Sequence, residues 1–184
     1  MTFLYLLLQA KMFYYNSSAL LEPTTRSSLL KAIEVSKRFG GTTFFDLNLP
    51  LPLWASSKET KSLIKEAWEA ADIIEVTKQE FEFLCGIEPS GQSDTNGKRS
   101  EFAHYSPEVV MKLWHANLKA LFVTNGTSKI HYYTENDNGF VRGTEDAPIT
   151  PFTSEMSQSG DAIVAGTTYA IHMYISLYFC RACC

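Results

Sequence analysis

The chain has 184 residues, which is enough for one domain with a hydrophobic core. Hydrophobic residues make up 45% of it and charged residues 20%, a composition that excludes an intrinsically disordered protein. The formal net charge is −4 at pH 7, and no lysine- or arginine-rich run occurs. The composition therefore argues against a protein that binds the phosphate backbone of a nucleic acid.

The first half of the chain alternates between extended and helical patterns. Apolar residues at helical spacing (Leu29, Leu30 and Ile33) mark the first helix, and Gly40-Gly41 ends it. Thr77 and Glu80 have the spacing of a capping box, which predicts the start of a short helix. The predicted elements before Thr77 are a strand over 13–15, a helix over 26–39, a strand over 42–46, a helix over 58–70 and a strand over 72–76.

The second half continues the alternation after a polar stretch. Residues 88–100 contain no large apolar residue and predict a solvated loop. Three further features follow: a helix that begins at Ser106-Pro107 and runs to about Asn117, a strand over 121–124, and a hairpin of 130–133 with 139–141.

Strands that alternate with helices predict an α/β fold with a largely parallel sheet. Ligands of such sheets bind at the carboxyl ends of the strands. Because Asp46, Thr77 and Thr124 all fall at such ends, we expect one cleft to collect them. The four histidines (104, 115, 131 and 172) show no ligand spacing, so we expect each to be exposed or half-buried. We expect Trp114, Tyr132 and Tyr133 to be core residues.

The stretch SQSGDAIVAG, residues 157–166, has the pattern of a loop that leads into a buried helix. The free backbone N–H groups at the start of a helix can hold an anion. Asp161 is therefore either a catalytic base that faces a phosphate or an N-cap of the helix.

Three stretches near the ends of the chain resemble a signal peptide, a membrane span and a zinc site, and we interpret each of them as ordinary structure. The segment 1–10 lacks the basic start and the cleavage site of a signal peptide. The stretch 162–179 has about the minimum length of a membrane span, but its polar residues favour a buried helix. Cys180 and Cys183 have the spacing of half a zinc site, and a reduced terminal tail is the favoured alternative.

Four motifs, in order along the chain, resemble those of the pfkB (ribokinase-like) carbohydrate kinase family. They are FDLNLPLPLW at 45–54, which resembles the DPNLRLPLW segment of plant fructokinases; ADIIEVTKQEFEFL at 71–84, which resembles a strand and an N-x-x-E motif; FVTNG at 122–126, which resembles a VTLG strand end; and residues 155–161, at the position of DTTGAGD. The resemblance runs from about Lys11 to Ala170 and implies a partial ribokinase-like fold.

This resemblance divides the chain into three parts. Residues 11–172 are expected to be an incomplete pfkB domain, 1–10 an irregular N-terminal segment, and 173–184 a tail outside the family. We expect the chain to be an internal fragment or a truncated gene product, because the first strands and the adenine-contacting region of the family have no match in it.

The resemblance also implies a cleft in which ATP, Mg²⁺ and a sugar meet. Asp161 matches the base that deprotonates the sugar hydroxyl, and Ser159 and Gly160 match the anion hole. The other matches are Asp46 and Asn48 as the polar pair on the substrate side, Thr124 and Gly126 near the nucleotide, and Glu80 as the acid that organises Mg²⁺ through water, with Thr77 at the position of the family Asn. Ordinary structural roles compete with these: Glu80 as the capping-box partner of Thr77, and Asp46 and Asn48 as turn residues.

Several family positions carry altered residues. Gln158 replaces the first glycine of GAGD, where a Cβ atom carries a conformational cost. Met156 and Glu155 replace a threonine and an aspartate of the same motif. Pro50 stands where fructokinases carry an arginine, and losing that cation weakens the stabilisation of negative charge.

The FDLNLPLPLW segment is most similar to the plastid fructokinase-like subfamily, which is associated with the plastid-encoded RNA polymerase complex and lacks ordinary sugar kinase activity. The resemblance implies a chloroplast protein with partners in plastid transcription, and it indicates neither a membrane nor direct nucleic-acid binding. Two alternatives stay open: an ATP-dependent fructokinase with Asp161 as base, cytoplasmic if not plastid-targeted, and a translation product without function.

Overall fold

The computed structural model describes residues 10–87, 104–125 and 129–142. Within these ranges one six-stranded sheet carries its strands in chain order. The strands are β1 (Met12–Asn16), β2 (Thr42–Asp46), β3 (Ile73–Thr77), β4 (Ala120–Thr124), β5 (Lys129–Thr134) and β6 (Asn138–Arg142). The α-helices are α1 (Pro23–Arg38), α2 (Ser57–Glu69), α3 (Lys78–Cys85) and α4 (Pro107–Val110), and two 3₁₀ turns cover Ser17–Leu20 and Leu51–Ala55.

The first four strands pair in parallel, and the last two form an antiparallel extension. β1, β2, β3 and β4 lie side by side, so their carboxyl ends meet at one edge of the sheet. β5 runs antiparallel to β4, and β6 returns along β5 as the second arm of the predicted hairpin. The predicted α/β fold with a largely parallel sheet is confirmed.

Local capping sets the helix ends. Thr77 and Glu80 form the reciprocal capping box at the start of α3, as the sequence predicted. Gly86, in the left-handed conformation at φ 64°, ends the same helix, where a residue with a Cβ atom would be strained. None of the helices in the described ranges is long and apolar enough to cross a membrane.

The predicted helix over 106–117 is wrong in its length. Helix α4 ends at Val110, and turns with bonds three residues apart follow it. The carbonyl of Leu113 accepts a hydrogen bond of 3.0 Å from the indole Nε1 of Trp68 in α2. This tertiary hydrogen bond engages a carbonyl that a longer helix would use within its own backbone. The local sequence pattern could not predict it, because Trp68 and Leu113 are distant in the sequence.

The main core lies between helices α1–α3 and one face of the sheet. Phe45 at its centre is fully buried, stacks on Tyr15 at 4.9 Å between ring centroids, and meets the edge of Trp68 at 6.1 Å. The Tyr15 hydroxyl donates to the carbonyl of Ala67 at 2.7 Å, so the ring also fastens β1 to α2. By strand alternation Phe44 faces the opposite side of the sheet, and it too is buried.

A buried carboxylate fastens the other end of β3. Asp72 accepts hydrogen bonds from the backbone N–H of Thr43 at 2.9 Å and from its hydroxyl at 2.8 Å. The ammonium of Lys119 lies 3.1 Å away, and that of Lys37 lies 3.7 Å away. Burial opposes ionisation, but the bonds from Thr43 and the two lysines leave the pKa of Asp72 below its usual value.

We expect Phe45→Ala to lower the free energy of unfolding by about 3–5 kcal/mol, since it removes a buried ring and leaves a cavity. Chemical denaturation followed by tryptophan fluorescence measures it. The matched control is Phe39→Ala, the same change at a side chain that is 55% exposed, which should lose about 1 kcal/mol or less. Equal losses for the two variants would contradict the placement of Phe45 in the core.

Candidate functional site

The carboxyl ends of three parallel strands bring the predicted cleft residues to one edge. Asp46 ends β2, Thr77 ends β3 and Thr124 ends β4. Thr77 and Thr124 are direct register partners, and Asp46 is the register partner of Glu75. The expected gathering at one edge is therefore observed, while the chemical roles of these residues stay predictions.

Glu80 is the best-defined polar group at this edge. Its Oε1 accepts a hydrogen bond of 2.6 Å from the backbone N–H of Leu49. Its Oε2 accepts two more from Thr77, at 2.8 Å from the backbone N–H and 2.9 Å from the hydroxyl. The residue is only 4% exposed. Glu80 thus joins the segment after β2 to the beginning of α3. The sequence predicted the capping box with Thr77 but not this additional bond to Leu49.

Burial is the main influence on the ionisation of Glu80. It raises the pKa of the carboxyl group, because charge is disfavoured away from water, and the neighbouring charge of Asp46 raises it further. The hydrogen bonds from Leu49 and Thr77 oppose the shift without cancelling it. Asp46 and Glu80 therefore interact electrostatically, although they lie on different elements.

The segment after β2 turns sharply to present the Leu49 N–H to Glu80. Asn48 has φ 34°, in the left-handed region that asparagine tolerates better than most residues. Its carbonyl accepts a 3.1 Å hydrogen bond from the Ser17 hydroxyl. On the other side, the Tyr14 hydroxyl donates to Asp46 at 2.7 Å. Asn48 thus has the structural role of a turn residue.

Pro50 occupies the place of the fructokinase arginine and starts a 3₁₀ turn. It lies in extended conformation at φ −68° and precedes Leu51–Ala55. The indole of Trp54 donates to the carbonyl of Leu49 at 3.0 Å and closes the turn onto the cleft segment. This position therefore supplies conformational restraint and no positive charge.

Lys78, in the first turn of α3, pairs with a carboxylate of the same helix. Lys78 forms an ion pair of 2.7 Å with Glu82, which also accepts a hydrogen bond from the hydroxyl of Tyr105. Within residues 10–87, 104–125 and 129–142, no cluster of three or more histidine, cysteine or acidic side chains has the geometry of a metal site. Direct binding of Mg²⁺ does not fit the buried, already hydrogen-bonded Glu80, and a role through water stays a prediction.

Other predicted site residues lie outside the described residues. These are Ser159, Gly160 and Asp161 of the expected anion hole and base, Gly126 near the nucleotide, and the altered position Gln158. The stretch 162–179 and the cysteine pair 180 and 183 also lie outside them. Their roles stay predictions from the sequence.

One histidine expectation is wrong. His131 is only 1% exposed, and its Nδ1 lies 2.8 Å from the Nδ1 of His104. The ring of His104 stacks on Tyr133, which is buried as expected. The strand pattern of β5 could have predicted this burial, because His131 is two residues from Tyr133 and lies on the same face of the strand as that expected core residue.

Comparison with known proteins shows the family. The profile of the pfkB family carbohydrate kinases matches residues 2–174, so the chain belongs to this family. It is 62% identical over 159 residues to Fructokinase-like 2, chloroplastic, from Arabidopsis thaliana, covering 86% of the chain and 26% of that protein. It is 49% identical over 170 residues to Fructokinase-like 1, chloroplastic, from the same plant, covering 86% of the chain and 36% of that protein.

A solved structure shows the same fold. Fructokinase with bound ATP from Xylella fastidiosa superimposes with a TM-score of 0.66 at 20% identity, covering 89% of the chain and 45% of that structure. The chain thus spans less than half the length of these relatives, which are carbohydrate kinases and fructokinase-like proteins.

We expect Glu80→Ala to lower the free energy of unfolding by about 1–3 kcal/mol, because the buried N–H of Leu49 loses its acceptor. The loss should be largest below about pH 4.3, the pKa of an unfolded Glu, and shrink as the pH rises through the raised pKa of the folded state. Denaturant titrations from pH 4 to 8 measure both effects.

The matched control is Glu66→Ala, the same change at an exposed position of α2. Its effect on the free energy of unfolding should stay within about 0.5 kcal/mol. A Glu80→Ala loss that grows as the pH rises would refute the assigned direction of the pKa shift.

Proposed function

We propose that this chain is part of a fructokinase-like chloroplast protein whose pfkB cleft no longer supports efficient sugar phosphorylation. The domain would act instead through protein partners in the plastid transcription machinery. The observation that carries the proposal is the state of the carboxyl edge. Glu80 is committed to the backbone of the chain, and Pro50 stands where a cation is expected.

The chemistry explains why this arrangement disfavours catalysis. Phosphoryl transfer depends on positioning and on stabilising the negative charge that spreads over the phosphoryl oxygens. When bound, ATP supplies the phosphoryl group and Mg²⁺ neutralises part of that charge. At this edge Asp46 and the buried Glu80 are both acidic, and Asp46 makes ionisation of Glu80 harder. The replacements Pro50 and Gln158 remove a positive charge and a glycine from the family pattern.

The similarity to named relatives supports the location and class. Two relatives at 62% and 49% identity are named fructokinase-like and chloroplastic. A chloroplast location for the protein that contains this chain agrees with these names. The link to the plastid RNA polymerase complex rests on the resemblance of the FDLNLPLPLW segment to that subfamily.

A working ATP-dependent fructokinase is the second candidate. The retained acidic residue of the N-x-x-E motif, Glu80, sits at the expected start of α3, and Gly160-Asp161 is retained in the sequence. In that case Asp161 would accept the proton of the sugar hydroxyl and the nearby backbone N–H groups would hold the transferred phosphoryl group.

We expect a full-length protein carrying this sequence to phosphorylate fructose at least about 10²–10³-fold more slowly than an active plant fructokinase assayed in parallel, the range lost with one charge-stabilising donor. A coupled assay with Mg²⁺ and ATP measures the rate. Asp161→Ala should leave this residual rate unchanged. An ordinary rate that Asp161→Ala abolishes would establish the second candidate.

We also expect the same tagged protein to enter chloroplasts and to co-purify with subunits of the plastid RNA polymerase. Mass spectrometry of the purified complexes measures this. Asp161→Ala should co-purify equally well, because binding does not use the base. A tagged active fructokinase directed to the chloroplast is the control, and equal recovery of the polymerase with it would count against the proposal.

A further inference from the structure

Two neighbouring cavities, both lined by Trp114, lie at the end of the sheet opposite the carboxyl edge. The first, of about 410 Å³, lies between α4 and the β5–β6 hairpin, and the second, of about 280 Å³, lies between α2 and the turn after α4. Trp114 lines both. The hairpin turn is near the start of β4, since Thr134 is the register partner of Ala120, so this surface is separate from the candidate site.

The rims of the two cavities carry opposite charge. Exposed Glu135 and Asp137 stand on the rim of the first cavity. Three exposed lysines (61, 65 and 112) stand on the rim of the second, against the single acid Glu69, which lies 4.0 Å from Lys65. An acidic and a basic rim therefore flank Trp114.

Apolar side chains supply the centre of this surface. Met111 lies on the first cavity and is 62% exposed, although it is large and apolar. Trp114 is half-buried against the core. An exposed methionine beside a tryptophan, with charged groups around them, has the composition of a protein interface: an aromatic and Met-rich centre within a polar rim.

We propose that this surface, defined by the two cavities around Trp114, associates with a second copy of the chain through a two-fold contact. In such a contact each surface patch meets its own copy in the reverse order. An acidic rim and a basic rim on opposite sides of one aromatic residue satisfy this rule, because the acidic rim of each copy meets the basic rim of the other. Charge complementarity thus names the occupant, and the proposal does not depend on catalysis.

Charge reversal with complementation tests the proposal on the full chain. Glu135→Lys makes both rims basic or neutral, and Lys61→Glu with Lys112→Glu makes both acidic. Each variant alone should raise the dimer dissociation constant at least about tenfold, since the attraction between the acidic and the basic rim is then removed or turned into repulsion. An equimolar mixture of the two should form a heterodimer, because each altered rim now meets an opposite charge. Sedimentation velocity across a concentration series measures all three.

Controls separate the surface from a general charge effect. Lys58→Glu reverses a lysine of the same helix α2 that lines neither cavity, and it should leave the dissociation constant unchanged. Circular dichroism confirms that each variant is folded. A chain that stays monomeric throughout the series, or a dimer that the charge reversals do not weaken, overturns the proposal, and so does a mixture that fails to associate. Fructose phosphorylation is not read in this test, so its result is independent of the proposed function.

Discussion

The described structure depends on strand β3 being held at both ends by a buried carboxylate. Before the strand, Asp72 binds the start of β2 through Thr43 and pairs with Lys37 of α1 and with Lys119, which directly precedes β4. After it, Glu80 binds the segment that leaves β2. Because both carboxylates reach across to neighbouring elements, they reinforce the parallel register that puts three strand ends at one edge.

This arrangement explains how the fold and the chemistry of a pfkB domain can separate. Glu80 satisfies two backbone N–H groups that burial would otherwise leave without an acceptor, and such groups are costly. The residue therefore stabilises the fold whether or not a metal ion or a nucleotide binds. Retention of the acidic residue in the N-x-x-E motif is therefore not by itself evidence of an active cleft.

The two ends of the sheet differ in physical character. The carboxyl edge is acidic, and hydrogen bonds within the chain engage its acidic groups, at the half-buried Asp46 and at the buried Glu80. The opposite end, around Trp114 and Met111, presents cavities, an exposed methionine and separated charges. An edge committed to internal contacts suits stability, whereas a surface with open cavities and separated charges suits association.

Local pattern by itself determined the alternation of strands and helices, the capping box of Thr77 and Glu80, the hairpin and the four motifs of the family, because each depends on residues close in the chain. Only the tertiary structure decided the early end of α4, the burial of His131 against His104, and the bond from Leu49 to Glu80. Each of these features depends on a contact between residues more than 25 positions apart, so the local periodicity of the sequence does not predict it. The physical reason is that a buried polar atom needs a hydrogen-bond partner, and in these cases the partner is a residue distant in sequence that only the tertiary structure brings close.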